Sequence, residues 1–196
     1  MLSDDITTVV EEVLRAPLAV AKGGIGFVGA DLPVDLFVAS GRSFGHLPWR
    51  AEGTTAWADR WLESGFPGWT RSILEDWHGG RFDGLSQVVF SRSDDASQRL
   101  YYYVRELQQR GQLAGPAARI FDIALLPRES SLAHTAQSLR SLGEVLGVDE
   151  AALRGAVPRV NALRRQLALW QSGRTGDGAT HERLSRATLF SDATTW

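Results

Sequence analysis

Four consecutive residues, Arg92, Ser93, Asp94 and Asp95, place a guanidinium, a hydroxyl and two carboxylates in one short turn. Two neighbouring carboxylates can serve as acid and base when their surroundings separate their pKa values. A guanidinium beside them can anchor an anion, and backbone N–H groups at a helix start can do the same. The same residue types also suit a structural task. Ser93 or Asp94 can cap a helix, and Asp95 favours the dipole at its N-terminus. Both readings stand on the residues alone.

A second polar stretch, SGRSFGH from Ser40 to His46, brings Arg42, Ser43 and His46 together. That set could meet a phosphate or a carboxylate. His78, His134 and His181 are remote from it and from one another, so no metal-ligand spacing occurs and no metal is expected. His78 reads as the end of a helix, where a partial positive charge opposes the dipole. Seven tryptophans are many for this length. Trp49, Trp57, Trp61, Trp69 and Trp77 either line a pocket for a planar ligand or pack a core. There is no GxxxxGK[ST], and Gly24-Ile25-Gly26 precedes a strand where a dinucleotide loop must follow one.

These residues need elements to position them. Val88 to Phe90 reads as a buried strand, and Ser91 to Asp95 as its exit turn. The following helix carries Leu100, Tyr103, Val104 and Leu107 as an apolar stripe. Upstream, Asp4 or Asp5 can open a helix ending near Ala21, with a kink at Pro17. Ile25 to Val28 reads as a strand, and PVDLFVASG as a proline-initiated helix that Gly41 ends. A strand is expected near Leu47 to Trp49, which leaves the SGRSFGH stretch as a loop at the sheet edge opposite the usual site. Thr54 or Thr55 can cap a helix bearing Trp57 and Trp61. Pro67 opens another, with Trp69, Ile73 and Trp77 on one face. A strand over Ala118 to Ile123 follows. Ser130 or Ser131 begins a helix to about Leu146, and Asp149 caps one carrying Val160, Leu163, Leu167 and Trp170, kinked at Pro158. SGRTGDGATH reads as a linker and RLSRATLF as a last short helix.

Strands alternating with helices predict an α/β fold. We expect a Rossmann-like or flavodoxin-like parallel sheet of about four strands, covered on both faces, with a C-terminal helical extension. The expected divisions are an N-terminal helix (1–23), an α/β lobe (24–128), a helical arm (129–171), and a linker and tail (172–196). The net charge of −2 carries no global basic footprint, so a nucleic-acid partner is not expected. No apolar run suffices to cross a bilayer, and an acidic, amphipathic start argues against a secretory signal. A cytoplasmic protein with no membrane partner is expected. The chain has no cysteine, which excludes disulfides, thiolate catalysis and cysteine-ligated clusters within it.

Several stretches taken in order, GFVGADLPVDLFVASG, ESGFPGWTRSILEDWHGGRFDGLSQVVFSRSDDASQRLYYYVREL and IFDIALLPRES with the helix pair after it, resemble the 2-hydroxyacyl-CoA dehydratase and benzoyl-CoA reductase family. The resemblance covers Gly24 to about Leu169. It implies an α/β lobe from a two-lobed subunit, a CoA-thioester substrate, and a [4Fe–4S] cluster held by three cysteines and supplied with an electron by an ATP-driven activator. By the same resemblance, one cysteine position falls on Phe66, before Pro67, and a second on Asp94, before Asp95. The third belongs to a second lobe, outside the resemblance. Phenylalanine has no donor atom, and aspartate is a hard oxygen ligand where such clusters take thiolates.

The expectation is therefore a cluster-free, single-lobe relative without radical dehydratase activity of its own and without a cofactor. It would act as a partner or assembly subunit, joined to a second-lobe chain or to further copies of itself, with an acyl-CoA or small-acid ligand site. The alternative is a redox-neutral enzyme, a hydro-lyase, isomerase or thioesterase-like protein acting on a CoA thioester or small aromatic acid. Asp94 and Asp95 would then transfer protons. Arg92 and Ser93 would bind substrate, Phe66 and Trp69 would form apolar walls, and Arg42 and His46 are further substrate contacts.

Overall fold

The computed structural model describes residues 23–124, 126–172 and 190–191. Strands β1 (Ile25–Val28), β2 (Phe44–His46), β3 (Gln87–Ser91) and β4 (Ala117–Phe121) run parallel. A two-residue strand, β5 (Phe190–Ser191), adds antiparallel to β2. The order is β4-β3-β1-β2-β5. Apart from β5 this is the flavodoxin-like order, whose topological switch lies between β1 and β3. Helices α1 (Val34–Ala39), α2 (Gly68–His78), α3 (Asp95–Gln109), α4 (Glu129–Leu146) and α5 (Glu150–Ser172) complete the described chain.

Each strand feeds two cores, because successive side chains leave opposite faces of a sheet. Val88 and Phe90 enter a layer with Leu74, Trp77, Leu100 and Val104, under α2 and α3. Val89 enters the other with Phe27, Phe37, Leu142 and Val160, under α1, α4 and α5. Both faces are thus covered, as a parallel sheet requires. In β1 the first face has no room for a side chain at Gly26. A Cβ there would lie 2.7 Å from Leu85 Cδ1 and 2.8 Å from Leu47 Cδ2.

The helix after β3 forms where the apolar periodicity predicts, but turned slightly. Its buried residues are Ser97, Leu100, Tyr101, Val104 and Leu107. Tyr101 takes the place expected for Tyr103, which is half-buried at the flank. Trp69, Ile73 and Trp77 do share the inner face of α2, with Ile73 and Trp77 fully buried. Asp149 caps α5 by accepting the Ala152 N–H at 2.7 Å, and the helix continues through Pro158. Val160 is buried and Leu163 half-buried, while the side chains of Leu167 and Trp170 fall outside the described set. The helix expected before residue 22 and the linker after residue 172 also lie outside the described residues.

Two expectations are corrected. Trp57 and Trp61 flank a single 3-10 turn, Ala58–Arg60, instead of lying on an α-helix. A distant group explains it: one Glu75 carboxylate oxygen accepts the Trp57 N–H at 3.0 Å and the Ala58 N–H at 2.8 Å. That contact satisfies the turn's free donors without further helical residues. The second strand occupies Phe44–His46, not Leu47–Trp49. Of the short helix expected over RLSRATLF only Phe190 lies among the described residues, and there Phe190–Ser191 pairs with β2. The loop from β2 to α2 is held by Asp76, which bonds Arg50 at 2.7 Å and Arg81 at 2.8 Å.

Candidate functional site

The C-terminal ends of β1, β3 and β4 gather the segments Gly29 to Asp31, Ser91 to Asp94, and Asp122 to Ala124. In a parallel α/β sheet this edge is where ligands bind. The turn after β3 is tied down by its own hydroxyls. Ser93 Oγ donates to the Ala30 carbonyl at 3.2 Å, so the 2.8 Å bond between Ser91 Oγ and Ser93 Oγ has Ser91 as donor. Ser91 Oγ also accepts the Ser93 N–H at 3.1 Å. Ser93 therefore locks the β3 turn to the β1 turn across the switch point.

The two aspartates part company. Asp94 is the N-cap of α3: Oδ1 accepts from Ala96 N and Oδ2 from Ser97 N, each at 3.1 Å. Both carboxylate oxygens are spent on the free amides of the first turn, the same amides that would otherwise hold an anion. Asp95 points away, with its side chain 82% exposed and 3.8 Å from Arg99. Asp94→Ala is expected to cost about 1 kcal/mol of stability and Asp94→Asn far less, because asparagine caps equally well. Urea unfolding of the two variants measures the difference, and equal losses would refute the capping role.

Phe66 is buried near the same end of α3. Its ring meets Tyr103 edge-on at 5.2 Å, and the Arg99 guanidinium lies over it at 4.1 Å. Glu63 joins this corner, accepting from Tyr103 Oη at 3.0 Å and Arg99 at 3.2 Å. Burial, reinforced by the Glu63 carboxylate, pushes the Tyr103 phenol above its ordinary pKa. Trp69 is half-buried against the same core. Phe66 and Arg99 thus link the segment before α2 to the segment after β3, but through a closed aromatic contact.

Arg92 turns towards β4. Its N–H donates to the Phe121 carbonyl at 3.1 Å, and its guanidinium pairs with Asp122. Asp122 also meets His134 Nε2, on α4, at 3.0 Å. The backbone around Asp122 is pinned by α4 hydroxyls: Asp122 N–H donates to Ser138 Oγ at 3.0 Å, and Ala124 N–H to Thr135 Oγ1 at 3.1 Å. The row Arg92–Asp122–His134 was not legible in the sequence. His134 sits 12 residues beyond Asp122 with no spacing that marks a pair, and only α4 folding back over the β4 end joins them.

Arg42 and His46 fall at opposite edges. Arg42 precedes β2 at the N-terminal edge, its N–H 3.3 Å from Ser40 Oγ. His46 is the last residue of β2, so the strand itself carries it to the C-terminal edge. The loop expectation placed it on the wrong side because β2 begins three residues earlier than expected. Its ring stands edge-on to Phe27 at 5.4 Å, and Nδ1 donates to the Leu47 carbonyl at 2.8 Å.

Burial lowers the His46 pKa, and the Leu47 carbonyl offsets only part of that. A proton is then bound more readily in the unfolded chain than in the folded one. Stability should fall as pH drops below the ordinary value of about 6.5 and level off below the lowered folded value. A His46→Gln variant should lack this component, which unfolding at a series of pH values between 7.5 and 5 would measure.

On the other face an open groove of about 730 Å³ runs between α1, α4 and α5. Leu36, Leu139, Val148, Leu153 and Val157 line it, and the Asp35–Arg164 pair (2.7 Å) stands at its margin. None of the residues expected for chemistry lines it. Among the described residues no group of acidic residues and histidines could hold a metal ion, and no helix is long and apolar enough to cross a membrane. The arrangement is an α/β protein with a flavodoxin-like sheet and a tied-down C-terminal edge. No protein-family model matches the chain, and no curated protein matches it.

Proposed function

We propose that this chain is a cluster-free, single-lobe relative of 2-hydroxyacyl-CoA dehydratase subunits that works as a partner or assembly subunit. The observation that carries the reading is the fate of the two positions equated with cluster ligands. Asp94 is consumed as a helix cap, and Phe66 is sealed beneath Arg99 and against Tyr103. Phe66 has no donor atom, and each Asp94 carboxylate oxygen already accepts an amide of the first turn. Their contacts make a stable surface where a catalytic subunit would keep an open site. Leu126, Leu132 and Tyr102 are large apolar side chains left exposed. Size-exclusion chromatography with light scattering on the full chain tests the reading. An assembly larger than one chain is expected, and a monomer that carries no other protein with it overturns the reading.

A second reading is favoured by the Asp122–His134 pair. In it the chain is a redox-neutral enzyme acting on a CoA thioester or small aromatic acid. Asp122 accepts from Nε2–H and thereby holds Nδ1 of His134 as the proton acceptor, with Arg92 balancing the carboxylate. Proton transfer then rests on His134 instead of Asp94 and Asp95. Acyl-CoA hydrolysis or hydration by the full chain, lost in His134→Gln and kept in Asp94→Asn, is its expected signature. Turnover unchanged in His134→Gln, or no turnover by the unaltered chain, eliminates it.

A further inference from the structure

The outward face of α3 carries a charge order that reads with every sign reversed from its other end. Asp95, Arg99, Tyr102, Glu106 and Arg110 follow one another at spacings of four, three, four and four residues, which keeps them on one stripe. The stripe lies opposite the buried residues Leu100, Val104 and Leu107. Its signs run negative, positive, tyrosine, negative, positive. Within one chain these members pair along the helix, Asp95 with Arg99 at 3.8 Å and Glu106 with Arg110 at 2.7 Å, while Arg99 also meets Glu63 at 3.2 Å beside the Phe66 ring.

We propose that a second copy of this chain docks here, α3 against α3, antiparallel about a two-fold axis between Tyr102 and Tyr103. The proposal rests on the assembly reading and names its partner and surface. In that register Asp95 faces the partner's Arg110, Arg99 faces the partner's Glu106, and Tyr102 faces the partner's Tyr103. Every charge on the stripe meets its opposite, and the two-fold repeats each pair. A parallel pairing in register would set each charge against its own kind.

Tyr102 provides the apolar centre. It is 49% exposed, a large area for an aromatic side chain; its ring lies tilted 5.4 Å from that of Tyr101 and its hydroxyl accepts from Gln98 Nε2 at 3.3 Å. Beside it is an open cleft of about 450 Å³ lined by Tyr102, Tyr103, Arg105, Glu106 and Gln109, into which the partner's Tyr102 fits. Tyrosines at the centre and ion pairs at the margin are the usual division in an interface, the aromatic giving affinity and the charges giving register. The 15-residue helix is about 22 Å long, which suits a modest, concentration-dependent dimer.

Sedimentation velocity on the full chain over a range of concentrations tests this. A dimer is expected, and Tyr102→Ala should weaken it by about tenfold or more. Asp95→Lys alone and Arg110→Glu alone should each weaken it, because like charges then face each other. The double variant should recover the unaltered affinity to within about threefold. Both positions are exposed, at 82% and 63% of their side chains, so the fold should tolerate the changes, and thermal melts verify that. A dimer indifferent to all four variants overturns the α3 surface while leaving the assembly reading in place. A chain that stays monomeric at every concentration and brings no other protein with it overturns both.

Discussion

Trp77→Ala is expected to lower stability by about 3–5 kcal/mol, the largest effect of any substitution considered for this chain. Trp77 is 1% exposed and sits at the centre of the core between the sheet and α2. Its ring stacks on Phe90 at 6.1 Å and meets Phe82 edge-on at 5.8 Å. Its Nε1 donates to the Ala114 carbonyl at 2.9 Å, tying α2 to the loop that leads into β4. Alanine removes the ring, leaves a cavity between Phe82 and Phe90, and breaks the bond to the Ala114 carbonyl. Trp77→Phe retains most of the packing and loses the hydrogen bond, so it should cost about 1–2 kcal/mol. For a chain of this length the alanine variant should melt about 10 °C lower, as calorimetry would measure. A loss below about 1 kcal/mol for Trp77→Ala would contradict the packing described for this core.

Gly29→Val comes next, at about 3–5 kcal/mol, and it acts on the candidate site directly. Gly29 follows β1 at the switch point with φ of +92°, a conformation that β-branched residues strongly resist. There is also no space for a side chain. A Cβ would lie 2.6 Å from Ser97 Oγ and 2.9 Å from Ser91 Cβ. Ser97 is fully buried on the inner side of α3, and Ser91 is the last residue of β3. The added atoms would push the β1 turn away from α3 and break the Ser93–Ala30 bond that joins the two turns. The pairing of Arg92 with Asp122 and His134 lies one strand further along and should survive. Amide hydrogen exchange should therefore show faster exchange confined to Gly29–Asp31 and Ser91–Ser97. Uniform acceleration through β4 and α4 would instead mean that the edge opens as one unit.

Much of the fold was legible because it depends on local periodicity. The VVF run of β3 alternates between two cores, and Leu100, Val104 and Leu107 follow the helical repeat that buries one side of α3. Pro67 ahead of α2 and Asp149 ahead of α5 act through neighbours within three residues. Expectations failed where a remote group decided the outcome. Glu75 converts the Trp57–Trp61 segment into a single 3-10 turn from 17 and 18 residues away. β2 is only three residues long, too short for its alternation to set the register, and the pairing Phe27↔His46 with β1 fixes it.

The candidate site divides along the same line. That a turn rich in Ser and Asp follows a buried strand and opens a helix is a property of SRSDD itself, and Asp94 caps α3 through bonds spanning two and three residues. Whether such a turn can also bind a ligand depends on what reaches it from other strands. Arg92 meets Asp122 across 30 positions, Ser93 meets Ala30 across 63, and Tyr103 meets Glu63 across 40. The sequence by itself determined β1, β3 and β4, the main helices, the absence of thiolate chemistry and a cap at Ser93 or Asp94, because each rests on composition or on interactions a few residues long. Only the tertiary structure decided that His46 lies at the C-terminal edge, that Asp122 joins Arg92 to His134, and that the two aspartates of the turn face different surroundings. Those outcomes depend on strand order and on α4 folding back over β4, and no short stretch of chain encodes either one.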